Sequence, residues 1–338
     1  MGRVTISSLA GQLGLSKASV SYALNGQPGV SDRTRAKVLE LAAELGWYPS
    51  ATARALTNAR TGAIGIVLSR DPELIGAEPY YMSLLAGIES VLSAAEMSLL
   101  LRMVGSGGAR DLAVYERWAG ERRVDGVIVL DLLEADPRPG LLAGLRLPFV
   151  LHGASGAVRY AATTVDQSAD AGTIVDHLRG LGHRRIAHVT GPRTLLHERA
   201  RLGAVGGHAQ RAGMTVADAE SDYAIDAAAA ATRELLAGGH GMTAVIYGSD
   251  LMALGGIQAL REGGLDVPAD VSVVSWDDSI LCRLGVPGVT ALQRDPVDHG
   301  RRSARLLLDV IGGRAAENVP TGAGELIRRA STGPVRPG

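Results

Sequence analysis

Two runs decide how the amino end of this chain folds: Val4-Thr5-Ile6-Ser7-Ser8-Leu9-Ala10 and, past Gly14, Leu15-Ser16-Lys17-Ala18-Ser19-Val20-Ser21-Tyr22-Ala23-Leu24-Asn25. The first opens a short helix. Gly14 breaks the pattern, and the second run is a helix with one polar face. This succession of helix, tight glycine turn and polar-faced helix is the helix-turn-helix plan, whose second helix enters the DNA major groove. Residues 31–45 predict a third helix. Ser31 caps it, Asp32 sits in its first turn, and Val38, Leu39, Leu41, Ala42 and Leu45 repeat at helical spacing before Gly46 ends it.

Outward from this head, Trp47-Tyr48-Pro49 reads as a stiff extended bridge, and Ser50 caps a short helical segment over residues 51–57. Isolated helices below about 12 residues are marginal in water, so that segment is expected to fold on a partner. Residues 1–60 carry seven Lys or Arg against three Asp or Glu, while the whole chain has a net charge of −1. A basic head on a mildly acidic body suits attraction of one end to phosphate.

The 338 residues suggest two or three domains. From Thr61 the texture alternates. Strands are expected at 63–68, 98–103, 124–130 and 148–151, with helices near 81–95 and 109–120. Helix 168–181 then leads to strand 185–190, helix 196–213 to a strand near 220–224, and helix 225–237 to strand 243–247. Helix 250–262 precedes strand 271–276, and a last helix covers 297–312. Alternation of this kind means parallel sheets covered by helices. Two blocks of it predict two α/β lobes with a cleft, and ligands of such sheets bind at the carboxyl ends of the strands. The expected division is 1–49 for the all-α head, 50–60 for a hinge helix, 61–330 for the two-lobed body and 331–338 for a loose tail.

The motifs Gly14-Leu15-Ser16, Leu24-Asn25-Gly26, Tyr48-Pro49, Ala53-Arg54-Ala55-Leu56, Thr61-Gly62-Ala63-Ile64-Gly65, Leu181-Gly182-His183, Ser249-Asp250-Leu251-Met252-Ala253-Leu254-Gly255 and Asp277-Asp278 resemble, in order, those of the LacI/GalR family of bacterial transcription regulators. The resemblance covers nearly the whole chain. It implies a homodimer on double-stranded, palindromic operator DNA, with a body similar to periplasmic sugar-binding proteins. It also implies a small-molecule effector that alters operator affinity, with a sugar expected and a purine second.

On the second helix, Ser16, Lys17, Ala18 and Tyr22 are the candidates to reach base edges. Lys17 suits guanine O6 and N7, and the Ala18 methyl suits a thymine methyl. Tyr22 stands where several family members carry Arg or His, so packing on the sugar-phosphate backbone is its alternative. Thr5, Ser19, Ser21 and Asn25 read as phosphate contacts, which position without specifying sequence. By resemblance, paired hinge helices lie in the minor groove with Leu56 as a wedge between base pairs, Ala53 permitting their approach and Arg54 meeting phosphates. In the body, Arg199 and Asp277 are the effector candidates, because a guanidinium and a carboxylate together grip hydroxyls in fixed geometry. Tyr80, Tyr81, His152, Tyr223, Ser249 and Trp276 are the further candidates, with a core position the alternative for Trp276. Asp166 is expected to cap helix 168–181.

Other classes lack their signatures. The lone Cys282 allows no disulfide framework, the eight histidines show no metal spacing, and no cofactor is called for. No G-x-S-x-G, G-x-x-x-x-G-K-[ST] or G-x-G-x-x-G motif occurs, so an enzyme is not expected. Residues 1–25 hold no continuous apolar stretch, and no run approaches a membrane span. The location expected is the cytoplasm, which disfavours a secreted solute-binding protein of the same body fold.

Overall fold

The computed structural model describes residues 4–47, 60–70, 76, 78–105, 110–156 and 158–336. Thr5 starts helix α1 (Ile6–Leu13) by a reciprocal cap. Its hydroxyl accepts from the Ser8 amide, and the Ser8 hydroxyl accepts from the Thr5 amide at 2.7 Å. Gly14 ends the helix at φ +62°, a left-handed conformation that costs glycine little. Helix α2 (Lys17–Leu24) starts at Ser16, whose hydroxyl accepts from the Ser19 amide. Helix α3 (Asp32–Glu44) starts in the same way at Ser31. Helices this short need tertiary support. It comes from Leu9, Ala10, Val20, Ala23, Val38 and Ala42, all buried, with Leu13, Leu15, Leu41, Leu45 and Trp47 packed around them.

The chain divides into two compact units, residues 1–62 and 63–338. The second unit holds β1 (Ala63–Ser69), α4 (Pro79–Ala94), β2 (Ser98–Val104), α5 (Arg110–Gly120), β3 (Gly126–Val129), α6 (Arg138–Gly144), β4 (Phe149–Ala154) and β5 (Ala162–Thr164). Next come α7 (Gln167–Gly180), β6 (Arg185–Thr190), α8 (Leu196–Arg211), β7 (Thr215–Glu220), α9 (Ile225–Ala237), β8 (Ala244–Tyr247), α10 (Asp250–Glu262) and β9 (Ser272–Ser275). The chain finishes with α11 (Ile280–Leu284), β10 (Thr290–Gln293), α12 (Pro296–Ile311), β11 (Val319–Pro320) and β12 (Glu325–Ile327).

Two six-stranded sheets result, in the orders β11-β5-β4-β3-β1-β2 and β12-β10-β9-β8-β6-β7. All neighbours are parallel except β10 and β12. Strands β3, β8 and β9 are buried at every residue, as parallel strands covered on both faces must be. The chain crosses between lobes three times: from β5 to α7, from β10 to α12, and from β11 to β12. Helices α4 and α12 close on each other through glycine. A Cβ on Gly87 would come within 2.0 Å of the Val297 carbonyl oxygen, and one on Gly300 within 2.2 Å of that of Leu84.

The fold departs from the sequence-based expectation at two places. The strand placed near 220–224 is Thr215–Glu220, and Tyr223 lies beyond it at φ +74°. Residues 331–336 are not a loose tail. The Ser331 hydroxyl donates to the Val273 carbonyl at 2.6 Å and accepts from the Thr290 amide at 2.8 Å, and the Val335 amide donates to the Leu181 carbonyl at 3.0 Å. Hydroxyls and main chain take the place of apolar burial there, which composition does not reveal.

Candidate DNA-reading and effector sites

In the head, α2 turns Val20 and Ala23 inward and leaves Lys17, Ala18 and Tyr22 exposed, so one helix face is free to meet a groove. The polar candidates are engaged locally. The Ser16 and Ser19 hydroxyls lie 2.9 Å apart, and Asn25 Nδ2 donates to the Ser21 carbonyl at 2.9 Å. Thr5 serves as the α1 cap. A hydroxyl has two acceptor lone pairs and one donor, so these bonds leave capacity for phosphate. Arg35 Nη2 donates to the Gln27 carbonyl at 2.9 Å and pins the loop between α2 and α3. Ala53, Arg54 and Leu56 lie outside the described residues.

In the body, the carboxyl ends of both sheets converge on one cavity of about 860 Å³, part of it open to solvent. Arg70 follows β1, Asp131 follows β3, Ser249 and Asp250 follow β8, Asp277 follows β9 and Arg294 follows β10. Tyr80 and Tyr81 enter from α4, His197 and Arg201 from α8, and His299 from α12.

Three charge pairs organise it. Arg70 Nε donates to Asp131 Oδ2 at 2.9 Å, and the Tyr81 hydroxyl donates to the same oxygen at 2.7 Å. Although burial opposes ionisation, the Arg70 charge holds Asp131 down to about 2. The Arg70 guanidinium lies 4.3 Å from the Tyr223 ring centre. Second, fully buried Glu198 accepts from Arg201 Nη1 at 2.8 Å, the Tyr223 hydroxyl at 2.9 Å and the Gly191 amide at 2.9 Å. Arg201 above all holds its carboxyl well below the usual range against burial. Third, Arg294 Nη2 donates to Asp277 Oδ1 at 3.1 Å, and its Nη1 lies 3.7 Å from buried Asp170. His152 joins the Tyr80 hydroxyl at 3.2 Å to the Ser303 hydroxyl at 2.8 Å, and burial pushes it down to about 3.

Glu78 is 6% exposed with Arg70 at 3.4 Å, and burial pushes it up to about 7. A folded value above the ordinary 4.5 means that folding favours the protonated form. Its contribution is therefore complete below about 4.5 and is lost as pH rises through 7. Relative to wild type, Glu78→Gln should raise the thermal midpoint by several °C at pH 8 and change it little near pH 4.5. An equal offset at both pH values would refute that assignment.

The cavity brings together Tyr80, Tyr81, His152, Tyr223, Ser249 and Asp277. It does not include Arg199 or Trp276. Arg199 is half exposed and pairs with Glu134; an α-helix turns about 200° in two residues, so Arg201 takes the inward position. Trp276 is fully buried below the lining. Its Nε1 donates to His188 Nε2 at 3.2 Å, and its ring supports the Arg201 guanidinium at 4.8 Å. Arg70, Asp131 and Arg294 line the cavity without a sequence motif to mark them, although each stands within two residues of a strand's carboxyl end. Asp166 caps α7 through the Ser168 and Ala169 amides. Buried Cys282 has its thiol pushed up to about 12 by burial, which leaves it unreactive.

The two lobes also meet at the cleft mouth. The Leu196 amide donates to the Leu132 carbonyl at 2.7 Å, and Leu133 and Leu195 form an antiparallel bridge. The exchange is reciprocal: Leu133 packs on the second lobe's core and Leu196 on the first lobe's.

A three-helix reading head and a two-lobed body with a polar interlobe cavity define a class: DNA-binding regulators built on a periplasmic-binding-protein-like body. Residues 5–50 match the bacterial regulatory proteins of the lacI family, and residues 175–332 match the periplasmic binding protein-like domain. The chain is 32% identical over 326 residues to the HTH-type transcriptional regulator CelR of Thermobifida fusca, covering 94% of each chain. It is 33% identical over 324 residues to MalR of Streptomyces coelicolor, covering 92% of this chain and 91% of MalR. Among solved structures, a CelR–cellobiose complex superposes with a TM-score of 0.74 at 31% identity, over 97% of this chain and all of that one. The lac repressor dimer bound to operator and the anti-inducer ONPF gives 0.87 at 27% identity, over 98% of this chain and all of that one. The chain belongs to the lacI family of bacterial regulatory proteins. Its relatives are transcriptional regulators. Among the described residues, no helix is long and apolar enough to cross a membrane.

Proposed function

We propose that this protein is a cytoplasmic repressor of sugar-utilisation genes that binds a palindromic operator as a homodimer and is switched by a sugar. The observation that carries the sugar reading is the cavity itself. Paired guanidiniums and carboxylates under tyrosine rings are what polyhydroxylated ligands need, since each pair both donates and accepts in fixed geometry. The relatives' names point the same way: one is solved with cellobiose. The base-reading roles of Lys17, Ala18 and Tyr22 rest on their exposure on α2. The hinge roles of Ala53, Arg54 and Leu56 rest on the family alone.

The dimer reading is supported by an apolar surface on the second lobe. Leu284 is 72% and Val286 78% exposed. They neighbour α10, against which Ile225 also sits, itself exposed. Large apolar side chains left this exposed around one helix support an association surface there. Leu284→Glu should convert a dimer to a monomer in sedimentation and weaken operator binding, because a two-fold protein loses one half-site contact. A wild-type chain that sediments as a monomer at operator-binding concentrations would refute the dimer.

A further inference from the structure

The charge balance of the cavity limits what can enter it. Its lining cations among the described residues, Lys and Arg alike, are Arg70, Arg201 and Arg294. Each guanidinium is at most 10% exposed and already holds a carboxylate: Asp131 at 2.9 Å, Glu198 at 2.8 Å and Asp277 at 3.1 Å. Arg294 additionally faces Asp170, which is fully buried.

Two carboxyls remain beyond these pairs. Glu78 shares Arg70 at 3.4 Å. Asp250, 4% exposed, accepts at 2.7 Å from the Leu251 amide of its own helix. Burial, opposed by Arg70, pushes Glu78 up to about 7, and burial with Asp277 beside it pushes Asp250 up to about 6. Burial keeps His152 and His299 neutral, at about 3 and about 4, so neither adds positive charge. Six carboxyls therefore face three guanidiniums and His197, which lies 3.4 Å from Glu198, so acidic groups outnumber basic ones and each guanidinium already holds a carboxylate.

We propose that this cavity admits an uncharged sugar and rejects its phosphorylated counterpart. A neutral hydroxyl can enter an existing pair, donating to the carboxylate and accepting from the guanidinium, with the charges left in balance. A phosphate monoester, by contrast, must strip a carboxylate from its guanidinium and leave it buried and uncompensated. The signal read is then the free sugar, ahead of any phosphoryl-transfer step that would modify it. This inference rests on the sugar reading of the site, but its test does not.

The test is thermal unfolding of the full chain at matched ionic strength with glucose, maltose, cellobiose, glucose 6-phosphate, maltose 6′-phosphate and inorganic phosphate, followed by calorimetric affinities. A neutral sugar should raise the midpoint, and its phosphorylated form should bind at least about 100-fold more weakly. Inorganic phosphate should do no more than sodium chloride. Asp131→Asn combined with Glu78→Gln, which deprives Arg70 of both carboxylates it faces, should gain stabilisation by phosphate. Stabilisation of the wild type by a sugar phosphate equal to or above that by the free sugar overturns the proposal. So does a folded Asp131→Asn/Glu78→Gln variant indifferent to phosphate. If no sugar acts, yet phosphate is excluded by the wild type and gained by the variant, the sugar reading falls and the charge exclusion stands.

Discussion

Arg201→Ala should abolish the response to sugar, while Arg199→Ala should leave it within about twofold. The two side chains are two residues apart on one helix but differ in everything that matters energetically. Arg201 is 7% exposed and paired at 2.8 Å with a carboxylate that has no exposure at all. Breaking a buried pair by removing one partner costs about 3–5 kcal/mol, because the remaining charge stays uncompensated. That charge, on Glu198, also holds the Tyr223 hydroxyl at 2.9 Å, so the substitution disturbs two lining groups together. Arg199 and its partner Glu134 are 52% and 60% exposed. Solvent screens such a pair, and its worth is about 0–1 kcal/mol. Ligand-induced thermal shift and operator binding read on the same samples separate the cases. Arg201→Ala should still bind operator with no effector response, and a response lost instead in Arg199→Ala would reverse the assignment.

The second large effect concerns the head. Leu9→Ala should eliminate operator binding and leave sugar binding in the body intact. Leu9 is fully buried in a core to which six buried residues contribute among the described residues. Leu-to-Ala in a core costs about 2–5 kcal/mol. A domain this small buries a modest share of its surface, and total stabilities of about 5 kcal/mol leave little margin. The body forms a separate compact unit with its own cores, so its unfolding should be unaffected. Calorimetry should show the early transition lost or lowered and the later one unchanged. Operator affinity within about tenfold of wild type would show that the head does not depend on this core.

The head was readable because its signals are local. Ser16 and Ser31 are caps, Gly14 is a left-handed stop, and the inward residues repeat at helical spacing within one or two turns. The body's alternating lobes were readable for the same reason, from apolar runs such as 244–247 that lie buried at every position. The cavity was only half readable. Tyr80, Tyr81, His152, Tyr223, Ser249 and Asp277 could be placed by their position relative to strand ends. Arg199 was expected in the place that Arg201 takes, because helix phase near a terminus depends on where α8 begins, and Leu195 starts it without a side-chain cap. Glu198 carries no motif of its own, and its partnership with Tyr223 joins residues 25 apart. Pairings of that kind, like Arg70 with Asp131 61 residues away, are set by the sheet and leave no local trace.

Coupling between the cavity and the head is read from the operator affinity of the full-length protein, titrated with each disaccharide that stabilises it. Allosteric coupling of about 1–3 kcal/mol corresponds to a 5–150-fold change in operator dissociation constant. A change of that size is expected for the wild type and Arg199→Ala, and none for Arg201→Ala. A sugar that stabilises the body and leaves operator affinity unchanged in the wild type would contradict this coupling.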